Sequence, residues 1–304
     1  MKSASWQRVW TGMLVLAAAV AVSCVNSASI QGQAAQAAAQ EVPQLSPADL
    51  EKIEAAIPAK AAAAPKQPRR VLVFWRCEGF FHGSGIAGGN KAIELMGQKT
   101  GAFQTDIARD YEVFTPANLA KYDAVVLNNT TGLKLSEDQQ QALLDFVQGG
   151  KGLVGIHAAT DNFYNWPAGA SLMGGLFAGH PWGGGGTWAF KLDEPDHSLV
   201  RAFGGKGFKL QDEIYQFKEP YTRADRRVLL SLDLADKATG DVKGGRPDND
   251  YAVAWIKGAG QGRLFYCSLG HAQNVFQDAA VNQFYLDGIQ FAIGDLAADA
   301  TPKK

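Results

Sequence analysis

Cysteine is nearly missing, with three in 304 residues, at positions 24, 77 and 267. A scaffold stapled by several disulfides is thereby excluded, and without a CxxC pair so is a zinc ribbon. No HExxH segment occurs. Gly85-Ile86-Ala87-Gly88-Gly89 has neither the Lys-Ser/Thr ending of a phosphate loop nor the GxGxxG order, so no nucleotide fingerprint is present. An excess of one charge is also lacking: 29 Lys and Arg face 30 Asp and Glu, for a formal net charge of -1. Such a surface has no polycation to neutralise phosphates, and no nucleic-acid partner is expected. The apolar run Met13–Val22 is shorter than the roughly 20 residues that a spanning helix needs. What is abundant is core material, 46% hydrophobic and 10% aromatic, together with 34 glycines of no fixed period. One α/β domain after a low-complexity start accounts for this composition.

Lys2 and Arg8 before the apolar run give residues 1–24 the pattern of a secretory signal. Ala21-Val22-Ser23-Cys24 resembles a lipobox, which implies lipidation of Cys24 and attachment to a bacterial membrane through the lipid alone; ordinary cleavage after Ser27 or Ala28 is the alternative. Residues 25–69 read as a linker holding one short helix. Asn26–Val42 is too poor in large apolar side chains to offset ordering entropy. Ser46-Pro47-Ala48-Asp49 then starts a helix through Leu50, Ile53 and Ile57 that Pro58 stops. Residues 59–70, with Pro65, Pro68 and four basic side chains, read as a second linker whose charge solvates the chain.

Residues 70–298 carry the domain and 299–304 a tail. Val71–Trp75, Ala124–Leu127, Gly152–Ile156 and Gly262–Ser268 are continuous apolar runs of the kind buried on both faces of a parallel sheet. Between them lie a glycine-rich loop over 76–89, a helix over 90–98, and a helix started by the capping box Ser136-Glu137-Asp138-Gln139. Segments 182–216 and 227–255 alternate more and read as mixed or antiparallel strands of a β-rich insertion; 279–296 reads as a closing helix. The fold class is therefore α/β: a doubly wound, mostly parallel, flavodoxin-like sheet whose ligands belong at the carboxyl ends of its strands. Cys77 and Cys267, at the ends of apolar runs, are expected as buried free thiols, although an exported protein would permit a disulfide.

His82, His157 and His271 each follow a predicted strand at that edge. Gly155-Ile156-His157-Ala158 looks like a strand entering a tight turn, which pushes a side chain out at the top of a sheet. An imidazole there can exchange protons near neutrality, with Asp161 fixing its tautomer or, on the alternative reading, capping a helix. Asp212 and Glu213 point to opposite sides if extended, and Glu213 is the preferred site residue. Trp166, Trp182, Trp188 and Tyr215 supply rings for the C–H faces of a sugar; Asn129 and His180 supply polar contacts. His82, His157, His180, Glu213 and His271 are also possible ligands of a divalent metal, although their spacing alone does not specify one. His197 reads as a surface-turn residue.

The segments Cys77-Glu78-Gly79-Phe80-Phe81-His82, Asn128-Asn129-Thr130-Thr131-Gly132, the GLVGIHAATD run Gly152–Asp161, Gly179-His180-Pro181, Asp212-Glu213-Ile214-Tyr215 and the GRLFYCSLGH run Gly262–His271 resemble, in this order, the ThuA-like (trehalose utilisation) family. The resemblance spans about Val71 to Leu296. It implies a class I glutamine amidotransferase-like fold and a role in the metabolism of trehalose or related sugars, including their oxidised derivatives, with His82, His157, Asp161, His180, Glu213 and His271 lining the site. His157 stands where an amidotransferase has its nucleophilic cysteine, and His271-Ala272-Gln273 lacks the glutamate that would follow, so glutamine hydrolysis is not expected. Two functions stand: an exported sugar-processing hydrolase, lyase or isomerase using His/Glu acid–base chemistry, and a non-catalytic carbohydrate-binding surface lipoprotein.

Overall fold

The first helix of the described residues begins where the sequence places it. Ser46 accepts the backbone N–H of Asp49, Pro47 occupies the first turn, and α1 (Pro47–Ala56) ends before Pro58. The computed structural model describes residues 40–303, so the signal segment, the lipobox with Cys24 and the tether as far as Ala39 lie outside it. Among the described residues no helix is long and apolar enough to cross a membrane.

After α1 the chain runs through β1 (Arg70–Phe74), α2 (Gly83–Thr100), β2 (Gln104–Ala108), α3 (Pro116–Leu119), β3 (Ala124–Asn128), α4 (Glu137–Gln148), β4 (Gly152–Ile156) and α5 (Pro167–Met173). It continues through β5 (Leu176–Phe177), β6 (Thr187–Leu192), β7 (Phe208–Gln211), β8 (Phe217–Lys218), β9 (Arg227–Leu232), α6 (Lys237–Asp241), β10 (Ala252–Ala259), β11 (Gly262–Cys267) and α7 (Ala279–Ala292). Nine strands form one sheet in the order β2-β1-β3-β4-β11-β10-β9-β6-β7. The first five are parallel, the flavodoxin-like arrangement; the other four are antiparallel. The β-rich insertion between β4 and β11 thus extends the same sheet.

The central strands are apolar throughout because both faces are covered. Val71 and Val73 pack with Ile93, Met96, Phe284 and Ile289 on one face, whereas Leu72 and Phe74 pack with Leu143 and Val147 on the other. Cys77 and Cys267 are buried free thiols.

Three segments depart from the sequence reading. The loop over 76–89 is shorter than expected, because four of its five glycines lie inside α2. A Cβ on Gly85 would stand 2.5 Å from the Gly270 carbonyl oxygen, and one on Gly89 2.7 Å from the Asn128 side chain. These glycines permit close approach of helix to strand ends rather than flexibility. Strand β2 pairs with β1 at the sheet edge and has no continuous apolar run, which is why apolar patterning misses it. The stretch 59–69 is not a solvated linker: Gln290 accepts from the backbone of Ala62 and Ala63, and Arg69 bonds Asp295 at 2.6 Å and Asp123 at 3.1 Å. Of the four basic side chains over 59–70, Arg69 neutralises buried carboxylates, whereas Lys60, Lys66 and Arg70 stay exposed, as expected.

Candidate active site

The carboxyl ends of β1, β3, β4 and β11 converge at one edge of the sheet, and each delivers a polar residue there. His82 occupies the N-cap position of α2, past β1. Asn129 follows β3 with φ 55°, and His157 follows β4 with φ 47°. A left-handed conformation is uncommon for any residue with a side chain, Asn and His included, so the surrounding structure must hold His157 in its turn. The hold is visible. Nδ1 of His157 lies 2.7 Å from the Ser268 carbonyl oxygen, and the Tyr266 hydroxyl donates to the His157 carbonyl at 2.7 Å. Because a carbonyl can only accept, Nδ1 carries the proton in neutral His157 and Nε2 presents its lone pair.

That lone pair faces the other members of the group. Nε2 of His157 is 3.3 Å from Nδ1 of His271 and 3.7 Å from Oε1 of Glu213; the same carboxylate oxygen is 3.4 Å from His271 Nδ1. The second oxygen of Glu213 meets Nδ1 of His180 at 3.3 Å. His82 completes the cluster, its ring centroid 5.0 Å from that of His157 and 5.1 Å from that of His271. His82, His157, Glu213 and His271 each offer a ligand atom within 4.8 Å of the others. Nδ1 of His82 is buried without a hydrogen-bond partner, while its Nε2 lies 3.4 Å from the Tyr215 hydroxyl.

Burial sets the charge states. It pushes His82 down to about 2, helped by repulsion from His157 and His271, and it holds His157 below the ordinary histidine value. Burial alone would raise Glu213, but the contacts with His157 and His271 outweigh it and keep the carboxyl well below its usual range. For His271 burial is likewise outweighed, here by the hydrogen bond and charge of Glu213, and its pKa rises. The result is one carboxylate at the centre of four imidazoles, with His180 half exposed at the rim at 51%.

Opposite sides of an extended segment explain which acid faces the cluster. Glu213 and Tyr215 point toward it, and the Tyr215 ring packs 4.4 Å from that of His157. Asp212 points the other way and accepts the backbone N–H groups of Gly270 at 2.7 Å and His271 at 3.1 Å. The sequence reading passes over Asp212 for the site, yet it holds the loop that carries His271. A pair of acids on alternating sides is the signal that could have found it.

Other expectations are corrected. Asp161 does not orient His157, a task done by the Ser268 carbonyl; it ends the short 3-10 turn His157–Thr160 and accepts the Tyr164 hydroxyl. It caps no following helix either, since the N-cap of α5 is Trp166. Trp182 is fully buried, donates its indole N–H to the Thr239 carbonyl and packs against Tyr251, so it has no free face for a sugar. Asn129 is also fully buried and donates its amide to the Gly270 carbonyl, bracing one strand end against another. Trp166 stacks edge-on against Phe163, and Trp188 bonds the Gly183 carbonyl, both outside the cluster. His197 is tied to Leu199 and Asp299, away from the site. The aromatic ring that does stand open beside the cluster is Phe80, 67% exposed and 4.7 Å edge-on from His82. Patterning does not single it out, because an exposed Phe in a loop looks like any apolar residue.

The sequence matches a family, and the structure a fold. A family model described as trehalose utilisation (ThuA) matches residues 70–292. The chain belongs to the ThuA family. Among solved structures, this ThuA-family chain is similar to a ThuA-like protein of Bacteroides uniformis, with 22% identity and a TM-score of 0.62 over 77% of this chain and 94% of that one. It is also similar to a ThuA-like protein of Parabacteroides merdae, with 20% identity and a TM-score of 0.59 over 78% and 94% of the two chains. Identities this low carry the fold alone. No curated protein matches the sequence.

Proposed function

We propose that this ThuA-family protein is an enzyme that transforms a trehalose-like glycoside or its keto derivative at the histidine cluster. The observation that carries the reading is the position of Glu213, whose two oxygens contact three histidines delivered by separate segments. A merely structural core gains little from gathering so many titratable groups, and such clusters mark reactive sites. His180 is the group best placed to exchange a proton with a substrate, since it is half exposed and its Nδ1 rests against the ionised Glu213. That contact fixes the orientation of the ring, as proton transfer to a substrate requires. The open Phe80 ring next to His82 offers an apolar face for a pyranose. The family's description as trehalose utilisation supports the substrate class.

The test is incubation of the full chain with a panel of disaccharides and their 3-keto forms, followed by chromatography of the products. Turnover of one member is expected, and Glu213→Gln and His180→Ala should each lower kcat by about 100-fold, the order that general acid–base groups contribute. Tight binding of a sugar with no product from any member would instead favour the carbohydrate-binding lipoprotein. We also propose that the protein is exported and anchored through Cys24, which follows the small residues Ala21-Val22-Ser23. Cys24→Ala should shift it from the membrane fraction to the soluble one.

A further inference from the structure

We infer that His82, His157, His271 and Glu213 together bind one divalent transition-metal ion. The donor set is three imidazoles and one carboxylate, their ligand atoms within 4.8 Å of one another, brought from four separate places in the chain. Imidazole nitrogen suits zinc, cobalt, iron or nickel; calcium and magnesium prefer shells of oxygen. With the ion bound, three imidazole nitrogens and one carboxylate oxygen would face it.

Two features beyond the clustering point to an ion. His157 has its Nδ1 proton engaged by the Ser268 carbonyl at 2.7 Å, which fixes the tautomer and aims the Nε2 lone pair inward. A metal-binding histidine is ordinarily oriented through its other nitrogen by such an outer partner. Buried His82 has a nitrogen, Nδ1, without any hydrogen-bond partner, and a buried polar atom left in that state calls for a ligand. His180 meets Glu213 from the outer side and is not a member of the four. It remains free for proton transfer beside the ion, so the inference adds a cofactor to the sugar-transforming site without displacing its acid.

The measurement is a titration of the chelator-treated full chain with Co2+, read by visible absorption, with Zn2+ then added as competitor. Saturation at one Co2+ per chain, a d–d band of nitrogen and oxygen ligation, displacement by Zn2+ and a higher melting temperature with either ion are expected. Glu213→Gln and His271→Ala should each weaken Co2+ binding at least about tenfold, the lower end of what disturbing even an outer metal shell costs. His197→Ala, at a histidine tied to Asp299 elsewhere, should bind as the wild type does. No saturable band in the wild-type chain would overturn the inference, as would undiminished binding in both cluster variants; if a variant fails to fold, the wild-type spectrum and stoichiometry decide. A bound ion with no sugar turned over would leave the ion standing and remove the sugar reading, whereas turnover in a chain that binds no ion would do the reverse.

Discussion

The carboxylate of Asp212 accepts the backbone N–H of His271 at 3.1 Å while its other oxygen accepts that of Gly270 at 2.7 Å, so a buried acid beneath the cluster sets where His271 stands. The Asn129 amide holds the Gly270 carbonyl from the β3 side. Between them the loop after β11 is fixed from two directions.

Removing the acid should therefore move the histidine. In Asp212→Ala two buried N–H groups lose their acceptor, at a cost of about 1–3 kcal/mol in unfolding free energy. Turnover should fall with it, and Asp212→Asn, which keeps one acceptor oxygen, should retain more of both. Equal urea midpoints for wild type and Asp212→Ala would show that the loop does not depend on this carboxylate.

Gly85 makes a second route to the same loop. Its missing side chain leaves room for the carbonyl oxygens of Gly270 and His271, which a Cβ would meet at 2.5 and 2.6 Å. Both obstacles are backbone and cannot rotate aside. Gly85→Ala should cost about 1–3 kcal/mol by overpacking and displace His271 as the strain is relieved. Gly258→Ala, where a Cβ would meet nothing within 4 Å, is the control and should leave thermal stability and turnover near wild type.

Far from the site, Asp287 on α7 should shape the pH dependence of stability. Burial pushes its carboxyl up to about 6 against the opposing contacts with Gln283 and Arg201, from 3.8 in the unfolded chain. Between those two values the folded protein keeps a proton that the unfolded chain has released, so stability is highest below pH 4 for this group and is lost as pH rises through 6. Asp287→Asn removes that loss. The variant should gain up to roughly 3 kcal/mol at neutral pH, since each tenfold difference in proton affinity between the folded and unfolded chain is worth about 1.4 kcal/mol, and the advantage should close toward pH 4. Denaturant unfolding at several pH values reads it directly, and a gain that did not vary with pH would rule out titration as its cause.

Much of the architecture is legible in the residues themselves. Val71–Trp75, Ala124–Leu127 and Gly152–Ile156 are apolar at every position, and only burial on both faces favours that composition, so the parallel half of the sheet and its ligand-bearing edge follow. Ser46-Pro47 and the Ser136–Gln139 capping box are local chemistry and start their helices as expected. Strand β2 escapes because an edge strand needs no apolar run. The glycines of 83–89 mislead because a glycine required for close packing and one required for a turn look alike along the chain.

The same division runs through the site. His82, His157 and His271 can be placed at one edge because each follows a strand, and strand order fixes where strand ends point. Their mutual distances, the partner of His157, the different fates of Asp212 and Glu213, and the burial of Trp182 and Asn129 were decided by packing. Local propensity and apolar patterning depend on neighbours in sequence and so determined the layers of this protein. The electrostatics of the cluster depend on groups more than a hundred residues apart, such as His157 and Ser268 with a separation of 111, and only the folded chain brings them within bonding distance.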